Sequence, residues 1–92
     1  MTQSVSDLQF EFFLSKFHII REIKNSERNN VKLVFYEPYQ VTAVLKQYYG
    51  RDLCGIYNTL KQLPHKNLVV VYETLYYKGD TYILEEYLEG ET

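Results

Sequence analysis

Five short runs of β-branched and aromatic residues, with one segment of helical period between the third and the fourth, constrain this chain most. The runs are Phe17 to Ile23, Val31 to Tyr36, Val41 to Leu45, Asn67 to Tyr77 and Thr81 to Leu88. Side chains of this kind suit a pleated, half-buried surface, so each run predicts a strand. The breaks are chemically distinct. Lys24 to Asn30 is entirely polar, and Glu37-Pro38-Tyr39-Gln40 holds a proline that a central strand would not tolerate. Lys78-Gly79-Asp80 carries the glycine and aspartate of a tight hairpin. Connections this short join neighbouring strands, which predicts an antiparallel sheet. In the longer gap, Leu53, Ile56, Tyr57, Leu60 and Leu63 recur at helical spacing, with Asp52 placed as N-cap and Pro64 as the stop.

The first sixteen residues add a second helix. Phe10, Phe13, Leu14 and Phe17 follow the i, i+3, i+4, i+7 spacing that gathers side chains on one face, and Ser6 with Gln9 forms a capping box ahead of them. The alternation Leu8-Gln9-Phe10-Glu11-Phe12 also fits a strand; the helical period decides for the helix. Four of the five phenylalanines fall in the first seventeen residues, so this helix is expected to pack on the sheet and supply apolar cover. The expected fold is α+β: a five-stranded antiparallel sheet, one helix between strands three and four, and an N-terminal helix.

Composition narrows the function. With 92 residues there is room for one domain, and 46% hydrophobic against 24% charged residues is a globular balance, not a disordered one. Ten basic against twelve acidic side chains leave a net charge of -2, so no global positive field exists to hold nucleic acid. The longest apolar run, Leu68 to Tyr72, is far below the roughly 20 residues that span a bilayer, and no basic-then-apolar leader opens the chain. No membrane partner is expected of this segment. The single Cys54 cannot form an internal disulfide, which fits a reducing, cytoplasmic setting. His18, His65 and Cys54 have none of the spacings of a metal site, and no nucleophile elbow occurs.

Three stretches, in order and at matching intervals, carry a resemblance. Ala43-Val44-Leu45-Lys46 is similar to the third-strand Val-Ala-Ile-Lys motif of protein kinases. Leu60-Lys61-Gln62-Leu63-Pro64-His65-Lys66-Asn67-Leu68-Val69 is similar to the family's Leu-x-x-Leu-x-His-Pro-Asn-Ile-Val stretch, and Tyr82 to Gly90 resembles the fifth strand running into the hinge. Residues 17–92 thus resemble the small, N-terminal lobe of a eukaryotic-type serine/threonine protein kinase, cut at the hinge, with residues 1–16 as a helical extension. The resemblance implies that Lys46 meets the α and β phosphates of ATP. It implies that Ile23, Val31, Val44 and Leu84 line the adenine pocket, and that the Glu86 carbonyl and Leu88 amide make the hinge hydrogen bonds. ATP with Mg²⁺ is expected only in the full-length protein.

The departures are specific. Lys24, Ser26 and Asn29 stand at the three glycine positions of the phosphate-covering loop, which weakens a backbone cradle for phosphate. Val44 replaces a smaller alanine. Nine residues before His65, where the family has the helix glutamate that pairs with the strand lysine, stands Ile56. Glu85, at the gatekeeper position, is the carboxylate expected to serve Lys46 instead. The catalytic aspartate and metal ligands belong to the family's second lobe, so phosphoryl transfer by residues 1–92 alone is not expected. Two readings follow: a lobe contributing ATP binding to a full-length serine/threonine kinase, or a pseudokinase-like interaction module with a decayed nucleotide site. The partners expected are the C-terminal lobe and, through tyrosine-rich apolar surface, a second copy of the chain.

Overall fold

The computed structural model describes residues 3–55 and 70–87. It is an α+β structure in which helix α1 (Asp7–Ser15) precedes five strands: β1 (Phe17–Asn25), β2 (Asn29–Tyr36), β3 (Val41–Tyr48), β4 (Val71–Tyr77) and β5 (Asp80–Glu86). All neighbouring strands are antiparallel, in the order β1-β2-β3-β5-β4. The first three strands run past their predicted ends. Among the described residues no helix is long and apolar enough to cross a membrane.

Local chemistry accounts for the boundaries. The Ser6 hydroxyl accepts the Gln9 N–H at 3.1 Å while the Gln9 side chain accepts the Ser6 N–H at 2.9 Å, closing the capping box reciprocally. Ser6→Ala is expected to cost about 1 kcal/mol of stability by chemical denaturation, the usual worth of an N-cap side chain. A 3-10 turn (Glu37–Tyr39) with Pro38 in its first turn reverses the chain between β2 and β3, and Gln40 leaves it in the left-handed region at φ 54°. Lys78 and Gly79 have φ of 49° and 89°, the paired positive values of the two-residue turns whose twist matches a hairpin. The predicted helix after β3 lies almost wholly outside the described residues. Its start is visible: Cys54 and Gly55 are helical, and the Asp52 carboxylate accepts the Cys54 N–H at 3.3 Å.

The core forms where α1 lies on the sheet. Phe13 is 1% exposed and packs with Phe17, Val34, Tyr36, Ala43, Leu45 and Leu84. Only one helical face is used, because Phe12, one position earlier, is 66% exposed. Phe10 stacks on Tyr77 with ring centroids 3.9 Å apart, and Lys16 at the end of α1 pairs with Glu73 of β4 at 2.9 Å. Val5 N–H donates to the Tyr76 carbonyl at 2.8 Å, so the chain ahead of the helix is tied to the outer edge of β4. The opposite edge, β1, is uncovered by any described residue, and Ile19, Ile20 and Ile23 are exposed along it.

Two phenols on the helix face, Tyr36 buried and Tyr82 half-buried, set an alkaline limit. Tyr36 donates to Glu73 at 2.5 Å, and burial first, then that carboxylate, push its ionisation well above the ordinary range. Tyr82 is pushed up to about 12, by burial and then by the Asp80 carboxylate. Both raised values mean that the folded chain holds its phenolic protons where the unfolded chain, at about pH 10, releases them. Stability is therefore expected to be unaffected by these groups below about pH 10 and to fall as pH rises toward 12. Tyrosinate absorbance appearing together with loss of circular dichroism would check it.

Candidate functional site

Alternation along each strand divides the sheet into two faces, and pairing register assigns the residues. Leu45 and Leu84 are partners and lie on the α1 face within the core. Their neighbours therefore point the other way. On that second face Val31 is opposite Lys46, Lys46 is opposite Ile83, Leu33 is opposite Val44, and Val44 is opposite Glu85. Lys46 and Glu85 are thus diagonal neighbours on adjacent strands, within reach of long side chains. Their side chains form an ion pair, the lysine 30% and the glutamate 9% exposed.

The resemblance predicts Lys46, Val31, Val44 and Glu85 together, and the register brings them onto one face. It does so for neither Leu84 nor Ile23. Leu84 is fully buried against Phe13 and Leu45 on the helix side, so it lines no surface shared with Lys46. Strand parity is the reason: if Glu85 faces Lys46, the adjacent residue cannot. Ile23 falls at a register shift in β1, where Lys24 and not Ile23 is opposite Val31, and it is 44% exposed. Glu86 is opposite Ala43, its N–H donates to the Val70 carbonyl at 2.9 Å, and its carboxylate accepts the Val70 N–H at 3.1 Å. Leu88 lies outside the described residues, as do Ile56 and His65.

The turn joining β1 to β2 is closed on itself. The Ser26 hydroxyl accepts the N–H groups of Arg28 and Asn29 at 3.4 and 3.3 Å, and Ser26 N–H donates to the Asn29 carbonyl at 2.9 Å. None of Lys24, Ser26 and Asn29 has positive φ. Amides that a glycine loop would direct at an anion are here spent on a serine oxygen. Beyond Lys46, the segment after β3 folds over the second face beside β5. The Thr81 hydroxyl accepts the Leu53 N–H at 2.9 Å and donates to the Arg51 carbonyl. Cys54 is buried there, and burial, then the nearby Asp52 carboxylate, push its thiol up, which disfavours the thiolate a nucleophile needs. His18 is exposed on β1 and meets Glu37 at 2.9 Å.

One cluster had no signal in the sequence. Lys16, Tyr36 and Glu73 converge on the α1 face from positions 57 and 37 residues apart, and no motif spans them. Lys16 and Glu73 border an apolar cleft of about 580 Å³ lined by Leu8, Phe12, Phe13 and Leu75. The arrangement is an ion pair and hydrogen bond locking a helix end to β4.

Chemically, the second face offers a floor of Val31, Leu33 and Val44 with the Lys46 ammonium and the buried Glu85 carboxylate beside it. Such a surface can hold a flat apolar group beside an anion. No family model matches this sequence, and neither does any curated protein.

Proposed function

We propose that residues 17–92 are the small lobe of a serine/threonine protein-kinase-like protein, and that the Lys46 face contributes ATP binding, with Mg²⁺, in the full-length protein. The observation that carries this reading is the position of Lys46. It sits on β3 of a β1-β2-β3-β5-β4 sheet, on the face away from α1, held by a carboxylate beside the apolar floor of Val31 and Val44. A lysine there is a compact charge that can meet phosphate oxygens while the base rests on the floor. Transfer of the phosphoryl group would need a catalytic aspartate as base, an asparagine and a metal-ligating aspartate from a second lobe, so this segment would bind and orient. The lone free thiol of Cys54 fits a cytoplasmic protein.

A second reading has its own support. The closed β1–β2 turn and the bulk of Val44 favour a pseudokinase-like module that keeps the fold for protein contacts. Titrating the full-length protein with Mg-ATP in a thermal-shift experiment separates the two. Ligand at about a hundred times its dissociation constant stabilises by roughly 2.7 kcal/mol, a rise of several degrees in Tm. No rise at millimolar Mg-ATP would overturn the nucleotide reading and leave the interaction module.

A further inference from the structure

Resting on the nucleotide reading, the question is what balances the phosphates. Lys46 carries one positive charge, and Glu85, more deeply buried, cancels it. The turn amides of Arg28 and Asn29 are taken by Ser26. Neither of these supplies net positive charge to a polyanion.

The pairing register shows a third group. Lys24 of β1 is opposite Val31, and Val31 is opposite Lys46, so the row Lys24, Val31, Lys46 crosses three strands on one face. Adjacent strands are about 4.8 Å apart, which sets the two lysine backbones about 10 Å apart. Two long side chains can close on a phosphate chain from that spacing. Lys24 is exposed and has no ion-pair partner among the described residues. Arg21 shares this face one row away, opposite Leu33, in line with Val44 and Glu85 and displaced from Lys46 along the strands.

We propose that Lys24 is the second phosphate-binding cation of this site, acting with Lys46 across Val31 and supplying by side chain the charge that a glycine loop supplies by backbone amides. The ligand class is a nucleoside di- or triphosphate, its base on the Leu33 and Val44 side and its phosphates between the two lysines. The proposal also explains the polar, closed turn: with a side-chain donor in place, the turn need not open its amides.

The test compares Lys24→Gln, Arg21→Gln and the unchanged sequence, each in the full-length protein, in calorimetric titrations with ATP, adenosine and inorganic triphosphate. Lys24 is exposed, so its substitution leaves folding intact, which circular dichroism verifies. Lys24→Gln is expected to weaken ATP and triphosphate about tenfold, the loss of one charge-assisted contact, with adenosine unchanged. Arg21→Gln should change triphosphate binding by less than about twofold. Equal losses for both variants would show a diffuse field and overturn the proposal, as would ATP and triphosphate binding unaffected by Lys24→Gln. If triphosphate binds in a Lys24-dependent way but adenosine and ATP gain nothing from the base, the cation pair stands and the nucleotide reading falls. If triphosphate does not bind the unchanged full-length protein at all, the cation pair falls.

Discussion

Replacing Phe13 with alanine is expected to cost about 3–5 kcal/mol, the range for deleting a fully buried phenylalanine. Phe13 is 1% exposed and stands edge-on to Phe17 at 5.2 Å between ring centroids, with Phe10 at 6.2 Å and Tyr82 at 6.3 Å. It is the one residue of α1 that is buried, so the helix hangs on it. Small domains have about 5–15 kcal/mol in total, and a domain of this length loses roughly 4–8 °C of Tm per kcal/mol. The Phe13→Ala chain should therefore melt at least about 12 °C lower. Phe12→Ala, on the exposed face, should stay within about 0.5 kcal/mol of the parent. A chain beginning at Ser15 should lose stability or solubility in the same sense, because it uncovers Leu45, Ala43 and Leu84. If Phe13→Ala melts like the parent, α1 is not part of the core.

The second large effect concerns Lys46 and Glu85. Lys46→Met leaves a carboxylate that is 9% exposed without its cation, and an uncompensated buried charge is costly. Breaking a fully buried pair costs about 3–5 kcal/mol. Here the lysine is 30% exposed and water can reach part of the site, so about 2–3 kcal/mol is expected. Glu85→Met should cost less, since the surviving ammonium can turn to solvent. Replacing both residues with methionine removes the desolvated charges together and should return to within about 1 kcal/mol of the parent, the pattern measured when apolar side chains replace buried pairs. Urea melts of the four chains give the coupling directly. Additive single losses would mean that the two side chains do not interact.

Much of the fold was legible because local chemistry and tertiary packing agree. Ser6 with Gln9, the Phe10 and Phe13 spacing and the Lys78-Gly79 turn each specify a conformation that the whole chain also uses, whereas Leu14, expected on the same helical face, is 41% exposed and Phe17 opens β1. Lys46 could be placed because its apolar neighbours fix the strand. Leu84 lies on the opposite face from Lys46 for a reason the sequence does not display. Thr81, Ile83, Leu84 and Glu85 are all buried, because β5 is covered on both faces, and such a strand has no alternation to reveal parity. Only the pairing of Leu84 with Leu45 decides it. Ile23 was misplaced because β1 carries two register shifts, which no hydropathy pattern in an exposed edge strand announces. Lys16, Tyr36 and Glu73 meet through the docking of α1 against β4, a contact set by the whole fold and by no local signal.

The Lys46 face, opposite α1, is the surface proposed to receive the nucleotide. Backbone amide shifts of residues 1–92 within the isotope-labelled full-length protein, followed during titration with Mg-ATP, test this. Saturable shifts are expected at Lys24, Val31, Val44 and Lys46, with Phe10, Phe13 and Phe17 unmoved. No saturable shift, or shifts centred on α1 and β4, would contradict it.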